Sequence, residues 1–309
     1  MSEELTKKIP ELIDEVEKVI LGKREVIQLT VASLLAGGHV LFEDIPGVGK
    51  TLMIKTLAQA IHGKFSRVQF TPDLFPSDIL GVSIFNNQTN QFEFRQGPIF
   101  TTVLLADEIN RTSPRTQAAL LEAMSEGKVT IDNQTYSLSS HFFVLATQNP
   151  IEYEGTYSLP EAQLDRFLFR LKIGYPSSED ELALMLGQQQ TAVIRRVLTE
   201  QEVDELKALV ENVFVQENVA KYALQLVQAS RNHQGITLGV SPRGSVAFVR
   251  GAKAYALTQG RQYVVPEDLQ KILPAVFGHR LQLKNRTSEE EREAILRQII
   301  ERVPVPIRR

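Results

Sequence analysis

The apolar run Val40-Leu41-Phe42 leads almost at once into Pro46-Gly47-Val48-Gly49-Lys50-Thr51, which commits this part of the chain to a strand, a glycine-rich loop and a helix, expected over Thr51 to about His62. In such a loop bare backbone N–H groups point inward at phosphate oxygens, and the positive end of the following helix dipole faces the same charge. The pattern implies a nucleoside triphosphate ligand. Lys50 would sit over the β- and γ-phosphates, and the Thr51 hydroxyl would serve a Mg²⁺ ion. The spacing departs from G-x-x-x-x-G-K-[ST] at one place, because Asp44 stands where the first glycine belongs.

A second apolar run, Val103-Leu104-Leu105-Ala106, ends in the adjacent acids Asp107 and Glu108. A short run bounded by polar residues fits a strand buried on both faces of a parallel sheet, with the acids at its carboxyl end. There one carboxylate can hold a Mg²⁺ shell, and the next can orient and activate a water for attack on the γ-phosphate. Asp107 is the expected metal-side residue and Glu108 the expected base. Acids that merely end a strand at solvent are the alternative, and the phosphate loop upstream weighs against it.

From His39 to Ile173 apolar runs at 40 to 42, 67 to 70, 103 to 106, 142 to 146 and 167 to 173 alternate with helical stretches, as in a parallel sheet covered by helices on both faces. Residues 1 to about 36 read as helical, with a break at Leu21-Gly22-Lys23. The helix after the acidic pair is framed by Ser113 as cap, Pro114 in its first turn and Gly127 beyond its end. Two hairpins are expected: Val82 to Phe85 against Gln91 to Phe94, and Val129 to Ile131 against Thr135 to Leu138 across Asp132-Asn133. Beyond Gly174-Tyr175-Pro176-Ser177-Ser178 helical signals take over, with a capping box at Thr199 and Glu202 and helices expected at about 217 to 230, 242 to 258, 266 to 276 and 288 to 302. The expected division is an α/β nucleotide-binding core at 1–175 and an all-α lid at 176–309.

The 309 residues are 43% apolar, enough to bury a sizeable core in two domains. Thirty-four basic and 37 acidic residues leave a net charge of −3, with no general electrostatic footprint for nucleic acid. The absence of cysteine excludes disulfides and thiolate metal sites, and the five histidines are scattered with no metal-ligand spacing. The amino terminus lacks the pattern of a secretory signal, and no apolar run is long enough to cross a bilayer, so a cytoplasmic protein is expected.

With these features in place the chain resembles the MoxR family of AAA+ ATPases over nearly its full length. Residues Gly38 to Thr51 are similar to the family's loop, in which an acid also replaces the first glycine; Asp107-Glu108-Ile109-Asn110-Arg111 and Leu120 to Met124 resemble its Walker B strand and the next helix. Ala146-Thr147-Gln148-Asn149-Pro150 resembles sensor 1, Leu159 to Phe167 the arginine-finger segment, and Ser241-Pro242-Arg243-Gly244-Ser245 the lid's sensor 2.

The resemblance implies an α/β P-loop core with a parallel sheet and two hairpin insertions, followed by a helical lid. It implies nucleotide contacts at Gly47, Val48, Gly49, Lys50, Thr51 and Leu52, and a base pocket lined by Val19, Ile20, Leu21 and Gly22. Asn149 would orient the attacking water, Arg166 would reach the γ-phosphate of a neighbouring subunit, and Arg243 that of its own subunit. Independently of the family, Arg243 lies in the first turn of a helix, where a cation faces the positive dipole end and is best explained by a nearby anion.

The expected function is hydrolysis of MgATP at subunit interfaces, in a homo-oligomer expected to be a hexameric ring, to remodel a protein client in a chaperone-like role. By the resemblance that client includes von Willebrand factor A domain proteins. A nucleic-acid motor or loader is the alternative, and the second hairpin's tip, Ile131-Asp132-Asn133-Gln134, has the wrong charge for a phosphate backbone. An inert nucleotide-gated scaffold is disfavoured by the intact Lys50, Asp107, Glu108 and Asn149 set, and a GTPase by the lack of an Asn-Lys-x-Asp motif.

Overall fold

A computed structural model describes residues 2–149, 156–186, 193–284 and 288–306. Pro150, at the end of the expected sensor 1 segment, lies outside them. Two helices lead, α1 (Ser2–Glu17) and α2 (Arg24–Leu35), and between them Gly22 takes a φ of +68° that ends the helical path. There follow β1 (Val40–Glu43), α3 (Lys50–Ala60), β2 (Phe65–Gln69), the short α4 (Pro76–Leu80) and the hairpin of β3 (Gly81–Asn86) and β4 (Gln91–Gln96). Next come β5 (Val103–Asp107), a 3₁₀ turn (Ile109–Arg111), α5 (Pro114–Glu126) and a second hairpin, β6 (Lys128–Ile131) with β7 (Gln134–Ser137). Then β8 (Phe143–Gln148), α6 (Glu161–Leu164) and β9 (Phe169–Leu171) complete the α/β part.

The five long-range strands form one sheet in the order β2-β5-β8-β1-β9, and every neighbouring pair is parallel. Although β1, β5 and β8 are apolar almost throughout, their residues still alternate between the two faces. Val40, Phe42, Val103, Leu105, Phe143 and Leu145 join one hydrophobic cluster, whereas Leu41, Leu104, Ala106, Val144 and Ala146 join another, under α5. β1, β2, β5 and β8 become polar at their carboxyl ends. Register aligns Gln69 with Asp107 and Glu43 with Gln148, so one sheet edge carries a row of polar side chains.

Local chemistry accounts for the connecting elements. The Ser113 hydroxyl accepts from the Thr116 N–H, Pro114 opens α5, and Gly127 closes it at a φ of +62°. The β6–β7 turn uses Asp132 and Asn133, both at positive φ (49° and 63°), as a two-residue hairpin requires.

Beyond β9 lie α7 (Ser178–Met185), α8 (Glu200–Asn212), α9 (Glu217–Arg231), β10 (Ile236–Leu238), α10 (Pro242–Thr258), α11 (Pro266–Phe277), β11 (Gln282–Leu283) and α12 (Glu289–Arg302). The region is helical as expected, with one amendment to the all-α reading: β10 and β11 pair antiparallel around Ile236 and Leu283. Strands of three and two residues are too short to register as a periodic pattern. The cluster on the first face of the sheet continues through α1, α2 and α3 into α8 to α12, so the leading helices and the carboxyl-terminal helices share one core.

Candidate functional site

Gly47 and Gly49 shape the loop after β1, with φ of +84° and +88°, and Gly49 caps α3 in the left-handed conformation. A Cβ at Gly47 would meet nothing within 4 Å, so its glycine answers to backbone angle rather than to crowding. Lys50 folds back over the loop: its Nζ donates to the carbonyls of Asp44 at 2.9 Å and Ile45 at 3.0 Å. Burial holds its pKa below the usual lysine range, against the pull of Asp44, Asp107 and Glu108. Asp44 is itself buried. Its Oδ2 accepts the N–H groups of Ile173 at 2.6 Å and Gly174 at 2.7 Å, which ties the phosphate loop to the chain leaving β9.

The loop opens on a cleft of about 370 Å³ in which Lys50, Thr51, Asp107, Glu108 and Asn149 meet. Beside it a second cavity of about 240 Å³ is lined mainly by apolar groups, including Ile20, Leu21, Val48, Leu52 and Leu184. Gly47, Gly49 and Leu52 border both, so the two form one slot, charged at one end and apolar at the other. Gly22 is not among the lining residues. A Cβ there would approach Asp180 Oδ2 to 2.6 Å, so this glycine makes room for α7.

The acidic pair is held by residues that sequence reasoning did not single out. Asp107 Oδ1 accepts the Thr147 hydroxyl at 2.6 Å, and Oδ2 accepts Arg67 Nη2 at 2.6 Å. The Glu108 N–H in turn donates to Thr147 Oγ1 at 2.8 Å, which fixes Glu108 in a left-handed conformation, φ +57° and ψ +49°. Its Oε2 accepts Gln69 Nε2 at 2.6 Å and Arg111 Nη1 at 3.0 Å. The only sequence signal for Arg67 and Gln69 was their place at the end of an apolar run; which strand they face is a matter of register.

Arg166 and Arg243 do not line this cleft. The segment holding Arg166 precedes β9, where the Leu168 N–H donates to His39 O at 2.8 Å, at the amino edge of the sheet. Arg166 Nε donates to Ser125 Oγ at 2.8 Å. Ser241, which caps α10, donates to Asp165 Oδ2 at 3.0 Å, and Arg280 Nε donates to Asp165 Oδ1 at 2.6 Å. The helix start that carries Arg243 is thus tied to the segment that holds Arg166, and the electrostatic neighbours Arg243 affects are Arg250 and Arg280. The four residues of β1 put about 10 Å between the two sheet edges. The expectation that Arg243 reaches the γ-phosphate of its own chain is corrected: the Ser241–Asp165 tie anchors α10 at the opposite edge.

A parallel sheet with a Gly-Lys-Thr loop, an acidic pair two strands away and a helical carboxyl-terminal region defines an ATPase of the AAA class. Residues 39–169 match the profile of the ATPase family associated with various cellular activities (AAA), and residues 228–299 that of the AAA lid domain. The chain is 39% identical to Chaperone MoxR1 of Mycobacterium tuberculosis, covering 95% of this chain and 81% of that one, and 32% identical to Protein MoxR of Paracoccus denitrificans, covering 93% of each. It is 49% identical to the uncharacterized protein YeaC of Bacillus subtilis, over 99% of this chain and 98% of that one. The crystal structure of a Cytophaga hutchinsonii protein assigned as an ATPase superposes with a TM-score of 0.89 at 38% identity, over 98% of this chain and 96% of that one. The chain belongs to the MoxR family of AAA+ ATPases, and it is an ATPase. Among the described residues no helix is long and apolar enough to cross a membrane.

Proposed function

We propose that the chain binds MgATP in the slot between the α1–α2 connection, the phosphate loop and α7, hydrolyses it between neighbouring copies in a hexameric ring, and uses the cycle to remodel a protein client. In this reading residues 1–175 form the core and 176–309 the lid. The observation that carries it is the placement of the arginines: Arg166, and the start of the helix that carries Arg243, lie at the sheet edge opposite the chain's own phosphate loop. A head-to-tail neighbour would bring both to that loop.

The base lies against Ile20 and Leu52, and the phosphates lie on the N–H groups of Gly47, Val48, Gly49, Lys50 and Thr51. The Thr51 hydroxyl and the Asp107 carboxylate border the same cleft, an all-oxygen donor set that suits a hard cation. Mg²⁺ held there would neutralise charge on the transferred phosphoryl group. Glu108 uses Oε2 for Gln69 and Arg111, and Oε1, which makes no hydrogen bond among the described residues, takes the proton of the attacking water. Asn149 positions that water and Lys50 holds phosphate charge, while Arg243 and the finger Arg166 come from the neighbouring copy.

A protein client is favoured over nucleic acid by the β3–β4 hairpin, which exposes Phe85 and Phe92 edge to face with ring centres 5.3 Å apart. By family resemblance the client carries a von Willebrand factor A domain. The test is turnover per chain against protein concentration, read alongside mass. Activity that appears only with assembly supports the proposal; full turnover in dilute monomer sinks it.

A further inference from the structure

Two unpartnered surfaces lie at opposite edges of the sheet. The first is a groove of about 730 Å³ between the end of α2, α8 and α10, with an apolar floor that includes Leu35, Val210, Val246 and Val249. Its rim carries Lys207, Arg250 and Lys253 against a single acid, Glu211. Among the described residues Arg250 forms no ion pair, and the charge acting on it is another cation, Arg243; burial and that repulsion both hold its pKa below the usual arginine range. Lys207 is likewise lowered by burial, against the pull of Asp204, and it donates to Ser140 O at 3.2 Å. A rim of three cations against Glu211 and Asp204 keeps a cationic excess that calls for an anionic partner.

The second surface is α7, which buries none of its side chains. Its first turn carries Glu179, Asp180 and Glu181, and Leu182, Met185 and Leu186 follow at i, i+3 and i+4 on one exposed stripe. Met185 is 77% exposed and Leu186 62%, on an eight-residue helix too short to be stable without packing. Asp180 and Leu184 border the apolar end of the nucleotide slot, whereas the groove lies beside Arg243.

We infer that α7 of one copy docks into the α2–α8–α10 groove of the next, with Leu182 and Met185 on the apolar floor and Glu179 and Glu181 against Arg250 and Lys207. The occupant is a second copy of this chain because the acids and apolar stripe of α7 complement the cationic rim and apolar floor of the groove, and the two surfaces sit at opposite sheet edges. The same rotation that seats α7 carries Arg243 toward the phosphate end of the slot that α7 flanks. The contact is heterologous, as ring closure requires. A bound nucleotide, touching Leu184, would steady α7 and so couple occupancy to assembly.

This inference rests on the ring proposed above, and cross-linking separates the two. The chain has no cysteine, so Met185→Cys and Val246→Cys, both at exposed positions, can be made in separate preparations, mixed with a non-hydrolysable ATP analogue and oxidised. The expected result is a disulfide-linked pair in the mixture and none with either variant alone. In parallel, Arg250→Glu should raise the protein concentration for half-assembly by about tenfold or more, and adding Glu179→Lys and Glu181→Lys in the same chain should recover most of it. Rings of full mass with no 185–246 linkage would overturn the docking while leaving the ring intact. An unsubstituted protein that stays monomeric with the analogue at every concentration would overturn both.

Discussion

Asp44 accepts the Gly174 N–H at 2.7 Å, so the residue that breaks the glycine rule of the phosphate loop also clamps the strand leading into α7. Restoring the glycine should therefore weaken the site. Asp44→Gly leaves two amides without their acceptor, at about 1–3 kcal/mol for a buried group, and should lower both the urea midpoint and ATP affinity. Asp44→Asn, which keeps one acceptor oxygen, should lose less. Unchanged values for Asp44→Gly in denaturation and nucleotide titration would refute the clamp.

Lys50→Ala and Glu108→Gln should fail differently. The first removes the cation over the phosphates and should lose nucleotide affinity. The second should bind ATP near normally and lose about 10²–10⁴ in turnover, as expected when a general base is removed. Fluorescent-nucleotide binding and phosphate release, measured on the same preparations, separate them. Wild-type-like turnover in Glu108→Gln would remove Glu108 as the base.

Gln69 touches Glu108 but not the expected phosphate contacts, so it acts as a positioning residue. In Gln69→Ala the kcat should fall about tenfold with KM held within about twofold, because only the Glu108 orientation is loosened. A rise in KM with kcat intact would place Gln69 in substrate binding instead.

His39 predicts an acid weakness. It is buried, its Nδ1 accepts the Val144 N–H at 3.0 Å, and its Nε2 donates to Met124 O at 3.2 Å, which leaves no place for a second proton. Burial lowers its pKa from 6.5 to about 4. The unfolded chain therefore takes up a proton below pH 6.5 that the folded chain refuses until about pH 4, so stability falls across that window as pH falls. At pH 5 the loss from this group is about 2 kcal/mol relative to pH 7. His39→Gln should flatten the pH 5–7 dependence of urea unfolding by about that amount, and an unchanged slope would count against it.

Because Arg166 and Lys50 occupy opposite sheet edges, two dead proteins should repair one another. Mixed in equal amounts, Arg166→Ala and Lys50→Ala chains should recover activity toward about a quarter of wild type, the share of random interfaces that pair an intact loop with an intact finger. No recovery in demonstrably mixed rings would place the finger elsewhere.

The parts legible in the sequence were those whose chemistry is local. The loop at residues 46 to 51, the Ser113–Pro114–Gly127 frame of α5, the Asp132-Asn133 turn and the Thr199–Glu202 capping box each fix a conformation within a few residues. What was not legible depends on distant partners. Arg67 and Gln69 meet the acidic pair only because β2 lies beside β5 in register, and the start of the helix that carries Arg243 is anchored away from its own loop by the Ser241 contact with Asp165, 76 residues earlier. The helix α7 was not expected from the sequence: Ser177 caps it in the structure, but its short stripe has too few turns to announce an amphipathic helix.

The core shared by α1, α2 and the carboxyl-terminal helices bears on how this protein can be cut. The matched stretches, 39–169 and 228–299, look like natural fragments, yet a boundary at residue 39 would strip α2 from α10 and bare an apolar face. Leu12, Ile13, Val16 and Leu34 are buried in the intact chain. The first 35 residues are thus the mortar between two halves, and minimal pieces designed from the matched stretches alone should aggregate where the full chain stays dispersed.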